Sequence, residues 1–195
     1  MIIDLALIRD GAPASPESPF QSADAPLSEC GRDALVKNKR GGVYPAVSRA
    51  YTAPSARCVE TAVEIYRLPV VLPGISRYDY GGLEGMEYRK AAGSDIFRSW
   101  AGAPYAGAVG GGSAPYAVQQ GNIRIFREII SELAGYGLQS AALVAHHTVI
   151  MIIINRFLAQ GFLYFYEDIP YGGGYAVTFD TETEILRIKN KLINF

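Results

Sequence analysis

Three side chains in this sequence are of types that bind or transfer phosphoryl groups. Arg9 and Arg57 carry planar guanidinium groups, whose paired N–H donors match the oxygens of phosphate. His146 is of the residue type that most often transfers protons near neutral pH. Taken alone, such an arginine is more often a surface residue and such a histidine a core residue. Because the chain has only two histidines, and both follow one apolar run, their placement favours a function.

A shared metal ion is the alternative use of the two histidines, His146 and His147. Neighbouring residues of an extended segment point to opposite faces, so one ion between the two rings is disfavoured. The two cysteines, Cys30 and Cys58, do not form a Cys-x-x-Cys pair. We therefore expect no metal and no cofactor.

Two apolar runs position these side chains. Residues 2–8 predict a buried strand that ends at Arg9 and Asp10, and residues 141–145 predict a second one that ends at His146. In open α/β sheets, ligands bind outside the carboxyl ends of the strands. If the two strands are neighbours, their polar ends therefore lie in one crevice.

The rest of the chain alternates between predicted helices and strands. Ser28 and Ser55 stand at positions suited to helix N-caps. This alternation predicts one α/β domain over residues 1–195, a three-layer sandwich with a mostly parallel central sheet and helices on both faces. The predicted helices are 27–32, 55–66, 86–100, 116–134 and 148–159, and the further strands are 43–52, 70–71, 175–180 and 185–188.

Several segments have compositions of other kinds. Residues 12–26 hold four prolines and predict a loop or lid, and the Gly/Ala-rich residues 101–113 predict a second loop. The tyrosines of 78–80 and 162–171 either line a pocket or, more commonly for such residues, pack in the core. The glycines of 172–174 open a strand rather than a helix, which indicates a close backbone approach and not a phosphate-binding loop.

The bulk composition excludes several classes of protein. The chain has 195 residues, 49% of them apolar and 19% charged, with a net charge of −1. These values are ordinary for a globular protein, and they disfavour nucleic acid or an anionic membrane as a partner. The apolar run 149–154 is much shorter than the roughly 20 residues that span a bilayer. The N-terminus lacks the pattern of a signal peptide, so a cytoplasmic location is expected.

The order of these segments resembles that of the histidine phosphatase superfamily, which has the phosphoglycerate-mutase-like fold. The resemblance runs over nearly the whole chain. No single segment is specific, but their order and spacing match the superfamily's. The five segments are Ile8 to Gly11, Tyr51 to Ala62, Tyr80 to Gly85, Leu143 to Ile150 and Gly174 to Asp180.

The resemblance implies a definite chemistry. In that superfamily one histidine attacks phosphorus, two arginines and a second histidine hold the phosphoryl oxygens, and a glutamate protonates the leaving group without a metal. Carried over by position, Arg9, Arg57 and His146 would hold the phosphate. The implied ligand is a small phosphorylated molecule or inorganic phosphate.

The sequence departs from the superfamily's pattern where the chemistry takes place. Asp10 stands at the position of the nucleophilic histidine, and Arg77, four residues before Gly81, stands at that of the acid. If the correspondence shifts by one or two residues, Asp79 or Glu84 becomes the acid instead. The segment around residue 112 also departs from the pattern, as does Gly121.

These departures predict little or no phosphatase activity. A carboxyl group like that of Asp10 has an ordinary pKa of about 3.9, and nearby arginines lower it further. Two like charges about 4 Å apart repel by on the order of 4 kcal/mol at an effective dielectric of about 20. Loss of the acid removes a further factor of roughly 10² to 10⁴ in rate.

The coupled charge changes suggest what replaced the activity. An ion pair of Asp10 with Arg57 or Arg77 would place a carboxylate where phosphate otherwise sits. The leading hypothesis is a pseudoenzyme that keeps an anion-binding or regulatory role. Two alternatives are an active metal-independent phosphomonoesterase, with Asp10 or His146 as the nucleophile, and a protein-interaction module, including a homodimer, that uses the tyrosine-rich segment 162–175.

Overall fold

The computed structural model describes residues 1–14, 25–102, 108, 111–159 and 168–193. For residues 100–102 it describes the backbone and not the side chains. Most of the predicted lid, much of the Gly/Ala-rich loop and the part of the tyrosine-rich segment before residue 168 lie outside the described residues. The expectations for those parts therefore stay predictions.

The strands form one sheet in the order β3-β2-β4-β1-β5-β6. Strands β3, β2, β4 and β1 run parallel, whereas β5 and β6 are antiparallel to their neighbours. The predicted α/β fold with a mostly parallel central sheet is confirmed. The elements are β1 (Ile2–Arg9), α1 (Glu29–Arg40), β2 (Arg49–Thr52), α2 (Ala56–Tyr66), β3 (Val70–Val71), α3 (Tyr88–Ala92), α4 (Asp95–Gly102), α5 (Pro115–Gly135), β4 (Ser140–Ala145), α6 (His147–Phe157), β5 (Gly174–Asp180) and β6 (Ile185–Lys191).

Helices cover both faces of the sheet. Ile3, Leu5 and Leu7 of β1 belong to the buried cluster that contains the apolar residues of α5 and α6. Ala6 and Ile8, which alternate with them, belong to the cluster with α1 and α2. Successive residues of a strand point to opposite faces, so β1 is buried on both sides, as the parallel strands of a three-layer sandwich are. Within the described residues, we find no helix that combines the length and the apolarity needed to cross a bilayer.

The largest differences from the predicted boundaries are found at three elements. Strand β2 begins at Arg49 and not at residue 43, and Pro45, which has no N–H for a ladder, lies in the segment lost from it. Helix α1 runs on past residue 32 to Arg40, where Gly41 caps it. The predicted helix 86–100 is divided into α3 and α4 at residues 93–94, where the hydroxyl of Ser94 accepts from the N–H of Phe97.

The predicted close approach at residues 172–174 is confirmed. A Cβ atom added to Gly174 would lie 2.0 Å from the carbonyl oxygen of Leu7. Gly172 has a φ of +72°, and its N–H donates to the carbonyls of Arg9 and Asp10 at 3.2 Å. The N–H of Arg9 in turn donates to the carbonyl of Gly173 at 2.8 Å. This glycine segment therefore fixes the backbone at the carboxyl end of β1.

Candidate functional site

The carboxyl ends of β1 and β4 lie side by side, which meets the condition for one crevice at the ends of the two apolar runs. Arg9 pairs with Ala145 in the parallel ladder. The N–H of Asp10 donates to the carbonyl of Ala145 at 3.1 Å, which continues the pairing by one residue. Asp10 and His146 are therefore brought together at the ends of neighbouring strands.

A third strand brings Arg57 to the same place. Strand β2 pairs with β4 as far as Thr52 opposite Val144, and the N–H of Ala53 donates to the carbonyl of Val144 at 2.9 Å. Helix α2 begins three residues later, at Ala56, so Arg57 lies in its first turn. The side chain of Arg57 is buried and reaches Asp10 beneath the helix end.

Asp10 is the centre of the site. Its side chain accepts a hydrogen bond from Nε of Arg57, and the same oxygen, Oδ2, lies 3.1 Å from Nδ1 of His146. Asp10 is 1% exposed, Arg57 3% and His146 7%. Two of the three groups expected to hold a phosphate therefore hold a carboxylate of the chain itself.

The charge state of Asp10 follows from these neighbours. Burial alone raises the pKa of Asp10, but the charges and hydrogen bonds of His146 and Arg57 outweigh it and hold the pKa below its ordinary value. Asp10 is thus an ionised carboxylate at neutral pH, which only accepts hydrogen bonds. The proton between the two residues must belong to Nδ1 of His146, and a neutral His146 then keeps its lone pair on Nε2.

Ser55 lies at the other ring nitrogen of His146. Its Oγ is 2.9 Å from Nε2, and the hydroxyl is the donor when the ring is neutral and protonated on Nδ1. Ser55 occupies the N-cap position of α2, but its side chain makes no cap hydrogen bond. The predicted N-cap position of Ser55 is confirmed, but the side-chain cap is absent, whereas Ser28 caps α1 by accepting from Gly31 at 3.0 Å. Sequence reasoning did not single out Ser55 as a site residue.

Arg9 is held apart from this cluster. Its guanidinium lies 3.4 Å from Oδ1 of Asp168 and donates to the carbonyl of Ile169. It also lies over the ring of Tyr171, 3.8 Å from the centroid. The structure thus directs Arg9 towards residues 168–171, and a role for it in holding phosphate stays a prediction.

A cavity of about 520 Å³ adjoins the cluster. Ser55, His146, Arg77, Asp79 and Glu84 are among the residues of its wall. Arg77 pairs with Glu84 at 2.5 Å, and Asp79 accepts from the N–H of Gly81 at 2.7 Å. Of the two ion pairs considered for Asp10, the one with Arg57 forms, and Arg77 has a carboxylate partner of its own. All three candidates for the acid position therefore lie in the cavity wall.

The donor atoms of Asp10, Cys58 and His146 lie within 4.8 Å of one another, close enough to bind a metal ion. Burial and the charge of Asp10 raise the pKa of the Cys58 thiol well above its usual value, so the thiol is protonated rather than a thiolate ligand. Arg57 already neutralises Asp10, and Nδ1 of His146 carries a proton. This cluster is suited to hydrogen bonding and poorly suited to binding a cation.

Comparison with known proteins identifies the fold family. The sequence profile of the histidine phosphatase superfamily (branch 1) matches residues 5–190. The chain belongs to this superfamily. None of the curated proteins matches it in sequence.

Solved structures of the superfamily's fold are similar over nearly the whole chain. A phosphoglycerate mutase from Bacillus anthracis str. Sterne has a TM-score of 0.77 at 16% identity, covering 97% of this chain and 92% of its own. A mycobacterial glucosyl-3-phosphoglycerate phosphatase has a TM-score of 0.76 at 17% identity, covering 97% and 98%. A phosphoglycerate mutase from Thermus thermophilus has a TM-score of 0.68 at 21% identity, covering 99% and 100%. At these identities the similarity establishes the fold.

Proposed function

We propose that this chain is a histidine-phosphatase-fold protein that has lost phosphohistidine chemistry and in which the Asp10 carboxylate stands in for a substrate phosphoryl group. The proposal rests on one observation: the buried carboxylate of Asp10 is hydrogen-bonded to both Arg57 and His146. In the superfamily that the chain resembles, these positions hold the phosphoryl oxygens. The structural relatives include mutases and a phosphatase, so the loss would be a divergence within a phosphate-handling fold.

Electrostatics supports the same proposal. A phosphate brought to about 4 Å from the ionised Asp10 would be repelled by on the order of 4 kcal/mol per unit charge at an effective dielectric of about 20. The donor groups that would compensate, on Arg57 and His146, are already bonded to the carboxylate. An anion would have to displace Asp10, so we expect weak anion binding and a regulatory rather than a catalytic use of phosphate.

The geometry speaks against the alternative nucleophiles for a phosphate ester. Asp10 is not among the residues that line the described cavity, and its oxygen Oδ2 is bonded on two sides. The lone pair on Nε2 of His146 points to Ser55. Neither Asp10 nor His146 is therefore aimed at a phosphorus atom in the cavity.

Hydrolysis of p-nitrophenyl phosphate without added metal tests the proposal. Wild-type protein, Arg57→Ala and His146→Ala are all expected to show no turnover above buffer. Arg32→Ala, an arginine of the exposed surface of α1, serves as the matched control. Turnover by the wild type and by Arg32→Ala that disappears in both of the other variants would overturn the proposal.

A further inference from the structure

We infer that Ser55, His146 and Asp10 form a nucleophile–base–carboxylate relay, and that the adjoining cavity accepts a carboxylic ester or a similar acyl compound. This inference goes beyond the proposed function, which concerns only the loss of phosphate chemistry. It gives Asp10, at the position of the superfamily's nucleophilic histidine, a different role: Asp10 would orient the base His146 instead of attacking a substrate. The serine is the group that makes the arrangement complete.

The distances are those of a working relay. Oγ of Ser55 lies 2.9 Å from Nε2 of His146, and Nδ1 of the same ring lies 3.1 Å from Oδ2 of Asp10. Both fall within the range of about 2.6–3.2 Å that is diagnostic of an activated nucleophile. The ionised Asp10 favours a proton on Nδ1, and in the neutral ring the lone pair on Nε2 then faces Ser55 and can take its proton. This is the proton arrangement that a serine hydrolase requires.

The solvent exposure of the side chains falls from Ser55 through His146 to Asp10, as catalysis on a bound substrate requires. Ser55 is partly exposed and lies in the wall of the cavity, so a substrate can reach its hydroxyl. His146 is 7% exposed and Asp10 is 1% exposed. The carboxylate is therefore shielded from water, and its interaction with the ring is stronger than it would be at the surface.

The local fold places Ser55 between a strand and a helix. Strand β2 ends at Thr52, a two-residue turn follows, and Ser55 precedes the first residue of α2. A serine between a strand and a helix is the arrangement of the nucleophile elbow, although the backbone of Ser55 is relaxed here, with φ −62° and ψ 144°. In the proposed relay, the first N–H groups of α2, which the Ser55 side chain does not cap, would serve as the donors for an oxyanion.

The charge of the cavity favours an uncharged acyl group over a phosphate. Among the described residues of the wall, Asp79 and Glu84 contribute carboxylates, and Arg77 contributes the one guanidinium. Ile75 and Pro54 add apolar surface. A neutral ester meets no repulsion from these carboxylates, whereas a phosphate dianion does.

The proposed reaction is an acyl transfer through Ser55. Oγ of Ser55 forms a bond to the acyl carbon while its proton moves to Nε2 of His146. The bond between the acyl carbon and the leaving oxygen then breaks, and that oxygen takes the proton from Nε2 to leave as an alcohol. Water repeats the sequence on the acyl-Ser55, with Oγ as the leaving group, and releases the acid. Since Arg57 offsets part of the Asp10 charge that stabilises the protonated ring, we expect slow turnover.

A fluorophosphonate probe and p-nitrophenyl acetate test this relay on the full chain. We expect the probe to label Ser55, as mapped by peptide mass spectrometry, and His146→Ala to abolish the labelling. Ester hydrolysis should vanish in Ser55→Ala and fall by up to about 10⁴-fold in Asp10→Asn. Ser48→Ala is the matched control, because Ser48 lies just before the opposite end of β2 and bonds Ser140 at 3.0 Å. It should match the wild type in both assays.

Either of two results would overturn the inference: no label on Ser55 in folded wild-type protein, or ester hydrolysis that persists in Ser55→Ala. Ser55→Ala removes only a partly exposed hydroxyl, so near-ultraviolet circular dichroism should show a native fold even if Asp10→Asn unfolds. Assays with p-nitrophenyl phosphate run in parallel bear on the proposed loss of phosphatase chemistry alone. The labelling and ester results decide the role of Ser55, so failure of one proposal is distinguishable from failure of the other.

Discussion

Arg57→Ala is expected to lower the free energy of unfolding by about 3–5 kcal/mol, the usual effect of breaking a buried ion pair by removing one partner. Arg57 is 3% exposed and donates to Asp10, which is 1% exposed. The variant would leave a carboxylate enclosed in protein without its arginine, and with only His146 as a hydrogen-bond donor from a side chain in the described structure. Urea denaturation followed by circular dichroism would measure the loss.

A surface arginine and a double variant make this prediction specific. Arg32 pairs with Glu60 and Glu64 at 3.6 and 3.2 Å, but its side chain is 45% exposed, so Arg32→Ala should change the free energy of unfolding by no more than about 1 kcal/mol. Removing both partners, in Asp10→Ala with Arg57→Ala, should cost less than the sum of the two single changes, because no lone buried charge remains. Equal losses in Arg57→Ala and Arg32→Ala would contradict the buried pair.

Gly174→Ala is the second change expected to have a large effect. The added Cβ would lie 2.0 Å from the carbonyl oxygen of Leu7 and 3.0 Å from Cα of Ile8, both of them backbone atoms of the inner strand β1. Neither can move without separating β5 from β1, so we expect a loss of about 3 kcal/mol in the free energy of unfolding. The same separation would shift Asp10, which lies two residues after Ile8.

Gly135→Ala provides the contrast for this prediction. Gly135 is exposed at the end of α5, and a Cβ there would meet no atom within 4 Å. Alanine favours helix over glycine, so this variant should be unchanged or more stable by up to about 1 kcal/mol. If thermal unfolding gave the same midpoint for both variants, the close approach of β5 to β1 would be refuted.

The sequence predicted those site residues that lie at or just after the end of a strand. The apolar runs that end at Asp10 and His146 predicted two strands, and the rule for parallel sheets placed both residues together if the strands are neighbours, as they are in the structure. Arg57 followed from its position in the first turn after a strand. The end of a strand and the first turn of the next helix are local features of the chain. The spacing of apolar and polar residues along the sequence is enough to locate them.

Side-chain partners could not be deduced in the same way. Ser55 has the sequence position of an N-cap, and only the folded chain shows that its hydroxyl is bonded to a ring 91 positions away. The partner of Arg77 was equally hidden, because Asp10 and Glu84 are both carboxylates and the choice between them depends on tertiary distance. The position of Ser55 between a predicted strand and a predicted helix is the signal that could have pointed to it.

The claim that Asp10 occupies the position of a phosphoryl group is tested most directly by calorimetric titration with inorganic phosphate at neutral pH. Wild-type protein is predicted to bind phosphate much more weakly than Asp10→Ala, with no saturation at concentrations that saturate the variant. Asp10→Ala, checked for a folded state, should bind phosphate because Arg57 and His146 are released, and the added change Arg57→Ala should abolish that binding. Phosphate binding by the wild type that is as tight as that of Asp10→Ala would contradict the claim.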